Sequence, residues 1–260
     1  RVTGLGKTYP TSWGRAPTVA LEPIDLEVAQ GEIVGIVGES GSGKSTLARL
    51  LVGLEQPTSG RIELDGHDIT AANSGNDARR RASVQMVFQN PQSALNPRRT
   101  VAELLTEPMA KASAKISARK ARIVELLDAI GLSPELAGRF PFQLSGGQRQ
   151  RVNIGRALCA APRILLADEI VSGLDVSVQA QLLNLLLRLR DETGISILLV
   201  SHDLSVVRYL CDRVLVLHRG RLMESAIAAD LFAHPSSSYT RGLLDSCPPD
   251  PPSHLEGAPA

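Results

Sequence analysis

The sequence predicts an α/β fold built on a mostly parallel sheet, and three observations predict it. Short apolar runs at 32–38, 163–168 and 195–203 alternate with helical patterns. The first thirty residues instead alternate loosely around Pro10, Gly14, Pro17 and Pro23, as a short-stranded N-terminal antiparallel sheet does. From Pro91 to about Gln143 helical spacing replaces strand signals, the mark of an inserted α-helical subdomain.

Taken in order, EIVGIVG (32–38) reads as a buried strand running into a Gly-rich loop, and TLARLLVGL (46–54) has helical spacing. GRIELDGHDI (60–69) reads as a hairpin strand with an Asp-Gly turn at 65–66, and SVQMVFQN (83–90) as another strand. In the insertion, TVAELLTEPMA and ARKARIVELLDAIGL are helical. A further helix is expected after Ser145, whose hydroxyl can cap it. Strands return at RILLAD (163–168), ISILLVSHD (195–203) and RVLVLHRG (213–220), with an amphipathic helix over 178–194 ending at Gly194. Apolar strands separated by helices imply a parallel sheet covered on both faces. The tail over 246–260, CPPDPPSHLEGAPA at its end, is Pro-rich and expected to be disordered.

Composition narrows the class. The 260 residues are 43% hydrophobic, enough for a sizeable core, and the net charge of +1 gives no bulk electrostatic grip on nucleic acid or anionic lipid. Cys159, Cys211 and Cys247 form no CxxC pair, so neither a disulfide framework nor a zinc site is expected and the compartment reads as reducing. No apolar run reaches the roughly 18 residues that span a bilayer. No signal peptide is read, and an opening on Arg1 rather than Met is expected of a processed, trimmed or partial chain.

Chemistry enters at GESGSGKS (38–45), a full G-x4-G-K-[ST] phosphate loop between a strand and a helix. Gly38, Glu39, Ser40, Gly41, Ser42, Gly43, Lys44, Ser45 and Thr46 are the expected nucleotide contacts. Small residues let backbone N–H groups curl around phosphate oxygens, and the helix N-terminus adds positive potential. Lys44 is expected to reach the β- and γ-phosphates, and Ser45 to place its hydroxyl on Mg²⁺. The fold class is therefore that of a phosphate-loop (RecA-like) NTPase. In RILLADEIVSGLD, two adjacent carboxylates, Asp168 and Glu169, end a buried run. Like charges repel, and a divalent cation beside them removes much of that repulsion. Asp168 is then the expected metal-side carboxylate, and Glu169 the group that orients and deprotonates water.

LSGGQRQR (144–151) puts Ser145 and two glycines at a helix start. Each glycine costs about 1 kcal/mol there relative to Ala, so something needs the bare backbone, and an anion is the obvious candidate. Two phosphate sites in one chain suggest two chains sandwiching nucleotide. With these motifs in order, the chain resembles the ATP-binding subunits of ABC transporters over essentially its whole length. The resemblance implies a nucleotide-binding domain over 1–245, with its helical subdomain at about 91–157. Tyr9 would stack on adenine, with Trp13 a rival. Gln89 would touch Mg²⁺ and the water. Ser145, Gly146 and Gly147 would contact the γ-phosphate held by the opposite subunit, with Gln148 completing the motif. Asp175 would sit at the dimer seam, and His202 would hold the γ-phosphate and water geometry. Three departures stand out in DEIVSGLD: Ile170 replaces the usual Pro, Val171 a hydroxyl residue and Gly173 the usual Ala. Loss of Pro suggests a less rigid loop.

LDVSVQAQLLNLL (174–186) and NPQSALNPRRTV (90–101) resemble the dipeptide, oligopeptide and nickel importers, as does LFAHPSSSYTRGLL (231–244), although Ser237 and Ser238 stand where His-Pro is usual. The implied function is ATP hydrolysis energising an importer, of peptides or alternatively of nickel or another small solute. The implied partners are a second ABC ATPase domain (another chain or a fused half), two transmembrane permeases and an extracytoplasmic solute-binding protein, at the cytoplasmic membrane face. A soluble ABC ATPase acting on nucleic acid or ribosomes is the competing class. It tends to carry coiled-coil insertions, zinc clusters or tandem domains, none of which is read here, so no direct nucleic-acid binding is expected. A regulatory subunit with little turnover is the third reading, opposed by Glu169, His202 and LSGGQ.

Overall fold

A computed structural model describes residues 1–10, 16–111 and 115–246. Trp13, Cys247 and nearly all of the Pro-rich tail lie outside the described residues. The chain opens with β1 (Val2–Tyr9) and β2 (Thr18–Leu26), then β3 (Ile33–Val37) and α1 (Lys44–Val52). Next come β4 (Ser59–Leu64) and β5 (His67–Asp68), α2 (Ser74–Ser83) and β6 (Val84–Val87). Between β6 and β7 the described elements are all helical: α3 (Pro91–Ala94), α4 (Val101–Leu105), α5 (Glu107–Lys111), α6 (Ile116–Ala129), two 3₁₀ turns, and α7 (Gly146–Leu158). β7 (Ile164–Asp168), α8 (Val176–Thr193), β8 (Ser196–Val200), α9 (Leu204–Leu210), β9 (Arg213–His218), β10 (Arg221–Ile227), α10 (Ala228–Ala233) and α11 (Ser238–Asp245) follow.

The strands form two sheets. One is antiparallel in the order β2-β1-β4-β5; the other runs β10-β9-β3-β8-β7-β6, parallel except for β10. The predicted Asp-Gly turn joins β4 to β5, with Asp65 and Gly66 both left-handed, as a two-residue hairpin loop requires. β3 explains why its run is apolar throughout: Val34 and Ile36 face the antiparallel sheet and α1, while Ile33 and Val37 face α8 and α9. Its interruption, Gly35, lies where α9 comes closest; a Cβ there would meet Cys211 Sγ and Val207 Cγ1, each at 2.9 Å.

Register positions the site. Ile36 and Asp168 both pair with Val200, and Val37 pairs with Val216, so β3, β7, β8 and β9 end level with one another. The loops that follow them share one edge of the sheet, where open α/β sheets bind ligands. Strand 213–220 is corrected by the structure: it ends at His218, turns at Arg219 and Gly220, and returns as β10. Cys159 and Cys211 are buried free thiols. Among the described residues no helix is long and apolar enough to cross a membrane.

Candidate nucleotide site

The loop from Gly38 to Gly43 is shaped by close approaches. Gly38 has φ 147°, and a Cβ on it would lie 2.1 Å from the Leu217 carbonyl oxygen. Gly43 has φ 106°, and its Cβ would lie 2.9 Å from the Ala20 carbonyl oxygen. Both positions exclude a side chain. Gly43 gives α1 no side-chain cap, which leaves the first-turn N–H groups of a nine-residue helix free for an anion. Glu39, Ser40, Gly41 and Ser45 are exposed, Thr46 is half-buried and Ser42 is buried. Lys44 is buried, and its ammonium donates to the carbonyls of Gly38 at 2.7 Å and Glu39 at 2.8 Å. Burial lowers the Lys44 pKa, opposed by the nearby carboxylates of Glu169 and Asp168.

Glu169 is the hub of a second group. Its Oε2 accepts from Gln89 Nε2 at 2.7 Å, and its Oε1 lies 3.1 Å from His202 Nδ1. Two residues from two other loops thus meet on one carboxylate. The backbone is bent to achieve this: Glu169 is left-handed at φ 48°, and its N–H donates to the Val200 carbonyl at 2.9 Å. Such a conformation in a non-glycine residue persists only when its surroundings impose it. Asp168, one residue earlier, is pushed up in pKa by burial and then by Glu169; Arg49 and Lys44 pull the other way. Among the described residues no three acidic, His or Cys side chains cluster as a protein-only metal site.

The departures after Glu169 have a packing explanation. Ile170 and Val171 are buried in the core, which anchors the loop by packing where Pro would fix φ. Gly173 is left-handed at φ 72° with open space around it. Asp175 begins α8 without bonding the helix's first N–H groups, so its carboxylate is uncommitted as a cap.

Ser145 caps α7 as expected, in a reciprocal pair: its Oγ accepts from Gln148 N at 3.2 Å, and Gln148 Oε1 accepts from Ser145 N at 3.0 Å. One of the two glycines has a reason independent of an anion. A Cβ on Gly147 would lie 2.5 Å from Val178 Cγ1, so Gly147 also lets α7 approach α8. No hydrogen bond or ion pair among the described residues joins 145–148 to the 38–46 loop. Gly146 instead lines a cleft of about 470 Å³ with Gln89, Asn90, Gln150 and Ser172.

Tyr9, at the end of β1, bonds Glu55 through its hydroxyl, which raises the phenol pKa; the Thr46 side chain lies close enough to act the other way. This sets the ring beside the start of α1. Lys7 and Arg49 also reach Glu55, at 3.7 and 3.5 Å. Sequence reasoning missed Glu55, a lone carboxylate just past a helix end, because no motif marks it.

Comparison with known proteins gives the site a context. A family model described as "ABC transporter" matches residues 21–172. A probable peptide ABC transporter ATP-binding protein of Sinorhizobium fredii is 46% identical over 258 residues, covering 96% of this chain and 73% of the relative. The oligopeptide transport ATP-binding protein OppF of Lactococcus lactis is 44% identical over 232 residues, covering 88% and 72%. Among solved structures, cbiO1 of Clostridium perfringens, part of the ABC transporter complex cbiONQ, superposes with a TM-score of 0.80 at 30% identity, covering 90% of each chain. A dimeric ATP-binding cassette in a post-hydrolysis state, bound to ADP and Pi, gives 0.77 at 32%, covering 87% and 97%.

Proposed function

The chain belongs to the ABC transporter family, and from that premise we propose that it is the ATP-hydrolysing subunit of an importer for di- or oligopeptides. The observation that carries the chemistry is the convergence of Gln89 and His202 on Glu169, beside the loop that holds Lys44. Peptide as the cargo rests on the relatives' names.

The phosphates lie along the 38–45 loop and the first turn of α1. Lys44, which spends two of its three N–H donors on the carbonyls of Gly38 and Glu39, turns the remaining one to the β/γ-phosphates, and Tyr9 offers its ring to adenine. Ser45, Asp168 and Gln89 present hydroxyl, carboxylate and amide oxygens, the hard donors that suit Mg²⁺ together with phosphate and water. The bond from the Gln89 amide nitrogen to Glu169 leaves the amide oxygen as the atom for this role. Bound there, Mg²⁺ supplies charge neutralisation at the transferring phosphoryl group. Glu169 takes a proton from the attacking water as the water oxygen bonds the γ-phosphorus and the bond to the β–γ bridging oxygen breaks. His202 holds Glu169 and the γ-phosphate in line. Catalysis is mainly positioning and charge stabilisation.

The Ser145–Gln148 segment and Asp175 serve the nucleotide of a second cassette facing this one, and the helices between β6 and β7 engage two membrane permeases fed by an extracytoplasmic solute-binding protein. The chain then sits peripherally on the cytoplasmic membrane face. The test is affinity capture from detergent-solubilised membranes with identification of what co-purifies. Two multi-spanning permeases and a peptide-binding protein are the expected outcome. A nickel-binding protein redirects the reading to metal uptake, and ribosomal or DNA-repair partners without a permease overturn transport.

A further inference from the structure

One side of α7 faces the segment that carries Gln89. Asn153 Nδ2 donates to the Phe88 carbonyl at 3.1 Å, and Arg156 Nη1, one turn on, donates to the Ala94 carbonyl at 2.6 Å. These bonds pin both ends of 88–94 to the helix. Gln150 comes one turn before Asn153 on the same side and is 1% exposed. Neither its Nε2 nor its Oε1 has a hydrogen-bond partner among the described residues. Its neighbours Arg149 and Asn153 each leave one buried polar atom unpaired but bond through another; Gln150 bonds through neither side-chain atom.

Buried polar groups are paired as a rule, so a wholly unpaired amide calls for a partner. The cleft of about 470 Å³ offers one: Gln150 lines it from α7, and Gln89 lines it from the facing segment. Gln89 is exposed, and its main chain makes no backbone hydrogen bond among the described residues. A glutamine turns about three side-chain torsions, so its amide can swing into the cleft while α7 stays in place.

We infer that Gln150 is a positioning residue for Gln89. In the arrangement that hydrolyses ATP, its amide bonds the Gln89 main chain across the cleft and completes the row begun by Asn153 and Arg156. Gln89 is thereby held with its side chain on Glu169. The same bond ties Glu169, through one residue, to the helix whose start carries Ser145, Gly146 and Gly147. The inference rests on the roles proposed for Gln89 and Glu169.

Gln150→Met tests this, because methionine has nearly the same length and volume and lacks the amide. The nucleotide-free Tm is read on the purified chain. The kcat and KM for ATP are read on the full chain captured from membranes with whatever accompanies it. Removing an unpaired buried amide is expected to leave Tm at or above the parental value. Loss of one neutral hydrogen bond made only in the reacting arrangement is expected to lower kcat roughly threefold to tenfold at an unchanged KM. Gln89→Ala and the double variant complete the cycle: with the Gln89 side chain gone, Gln150→Met should change kcat no further. A parental kcat in Gln150→Met beside an impaired Gln89→Ala overturns this inference alone, as do losses that simply multiply in the double variant. A Tm that falls in step with kcat makes Gln150 merely structural, and also overturns it. A parental kcat in Gln89→Ala overturns the role proposed for Gln89, and no hydrolysis by the captured parent overturns the proposed function; the inference falls with either.

Discussion

Glu169 and Asp168 are adjacent in sequence, yet their surroundings differ, as the different roles proposed for them require. Glu169 is held open by two polar partners, Gln89 and His202. Asp168 is buried at the strand end and raised in pKa. Glu169→Gln is isosteric and can still bond both neighbours, so the geometry survives while the proposed proton acceptor is lost. Phosphate release is expected to fall by roughly 10²–10⁴-fold with ATP affinity retained; turnover close to parental removes Glu169 from the base role. For Asp168 the sign runs through linkage. A carboxyl whose folded pKa lies above its unfolded value binds more protons when folded, so the fold loses stability as pH rises from the unfolded pKa through the folded one. Asp168→Asn is therefore expected to raise the nucleotide-free Tm at neutral pH by roughly 1–4 °C while abolishing the extra stabilisation that Mg²⁺-ATP gives the parent. A lower nucleotide-free Tm contradicts the assignment. The two carboxylates were legible in the sequence because they end a buried run. Glu55 was not, because its partners Tyr9, Lys7 and Arg49 converge only in three dimensions.

At the scale of elements, helix α7 carries two demands on one glycine. Gly147 opens a helix start that an anion can approach, and it lets α8 pack through Val178. Val178 is β-branched on a helix and has little rotamer freedom to withdraw. Gly147→Ala is expected to cost about 1–3 kcal/mol by overpacking. Adding Val178→Ala makes room and should restore most of that stability. Hydrolysis should stay impaired in the double variant if the bare backbone also serves phosphate; full recovery of both in chemical denaturation and ATPase assays reduces Gly147 to a packing residue. The same scale shows which elements a sequence reveals. β3, β7 and β8 are covered on both faces, so their apolar runs are unmistakable. β10 alternates exposed residues with the half-buried Leu222 and Ala226 and the buried Glu224 at the sheet edge, and RLMESAI carries no comparable run. α2 reads SGNDARRRAS, with only Arg80 buried, so no apolar period marks it. α11 is short and seated through Glu224, a long-range polar contact that no local window contains.

The molecule as a whole is built with half of its chemistry facing outward. The 38–46 loop and the Glu169 group share one edge of the sheet, whereas Ser145, Gly146 and Gly147 open α7 with no bond to that loop. Asp175 begins α8 without capping it. On the proposed reading a single chain presents one phosphate loop and one separate helix start suited to phosphate, and two cassettes placed head to tail would complete both sites at once. The solved post-hydrolysis relative is itself a dimer bound to ADP and Pi. Hydrolysis should then require association, and the rate should depend on enzyme concentration more steeply than first order below the dimerisation constant. The Glu169→Gln variant, unable to complete the reaction, is expected to double its mass in size-exclusion chromatography with Mg²⁺-ATP and to remain single with ADP. Ser145→Arg, added to it, places a long side chain where the partner's γ-phosphate would lie and should keep the chain monomeric while its own loop still binds ATP. If the partner cassette is a different chain, the same doubling appears only when that chain is supplied. Specific activity that stays constant on dilution into the monomeric range would show that one chain hydrolyses alone, and Ser145 through Gln148 would then need a purpose within the single chain.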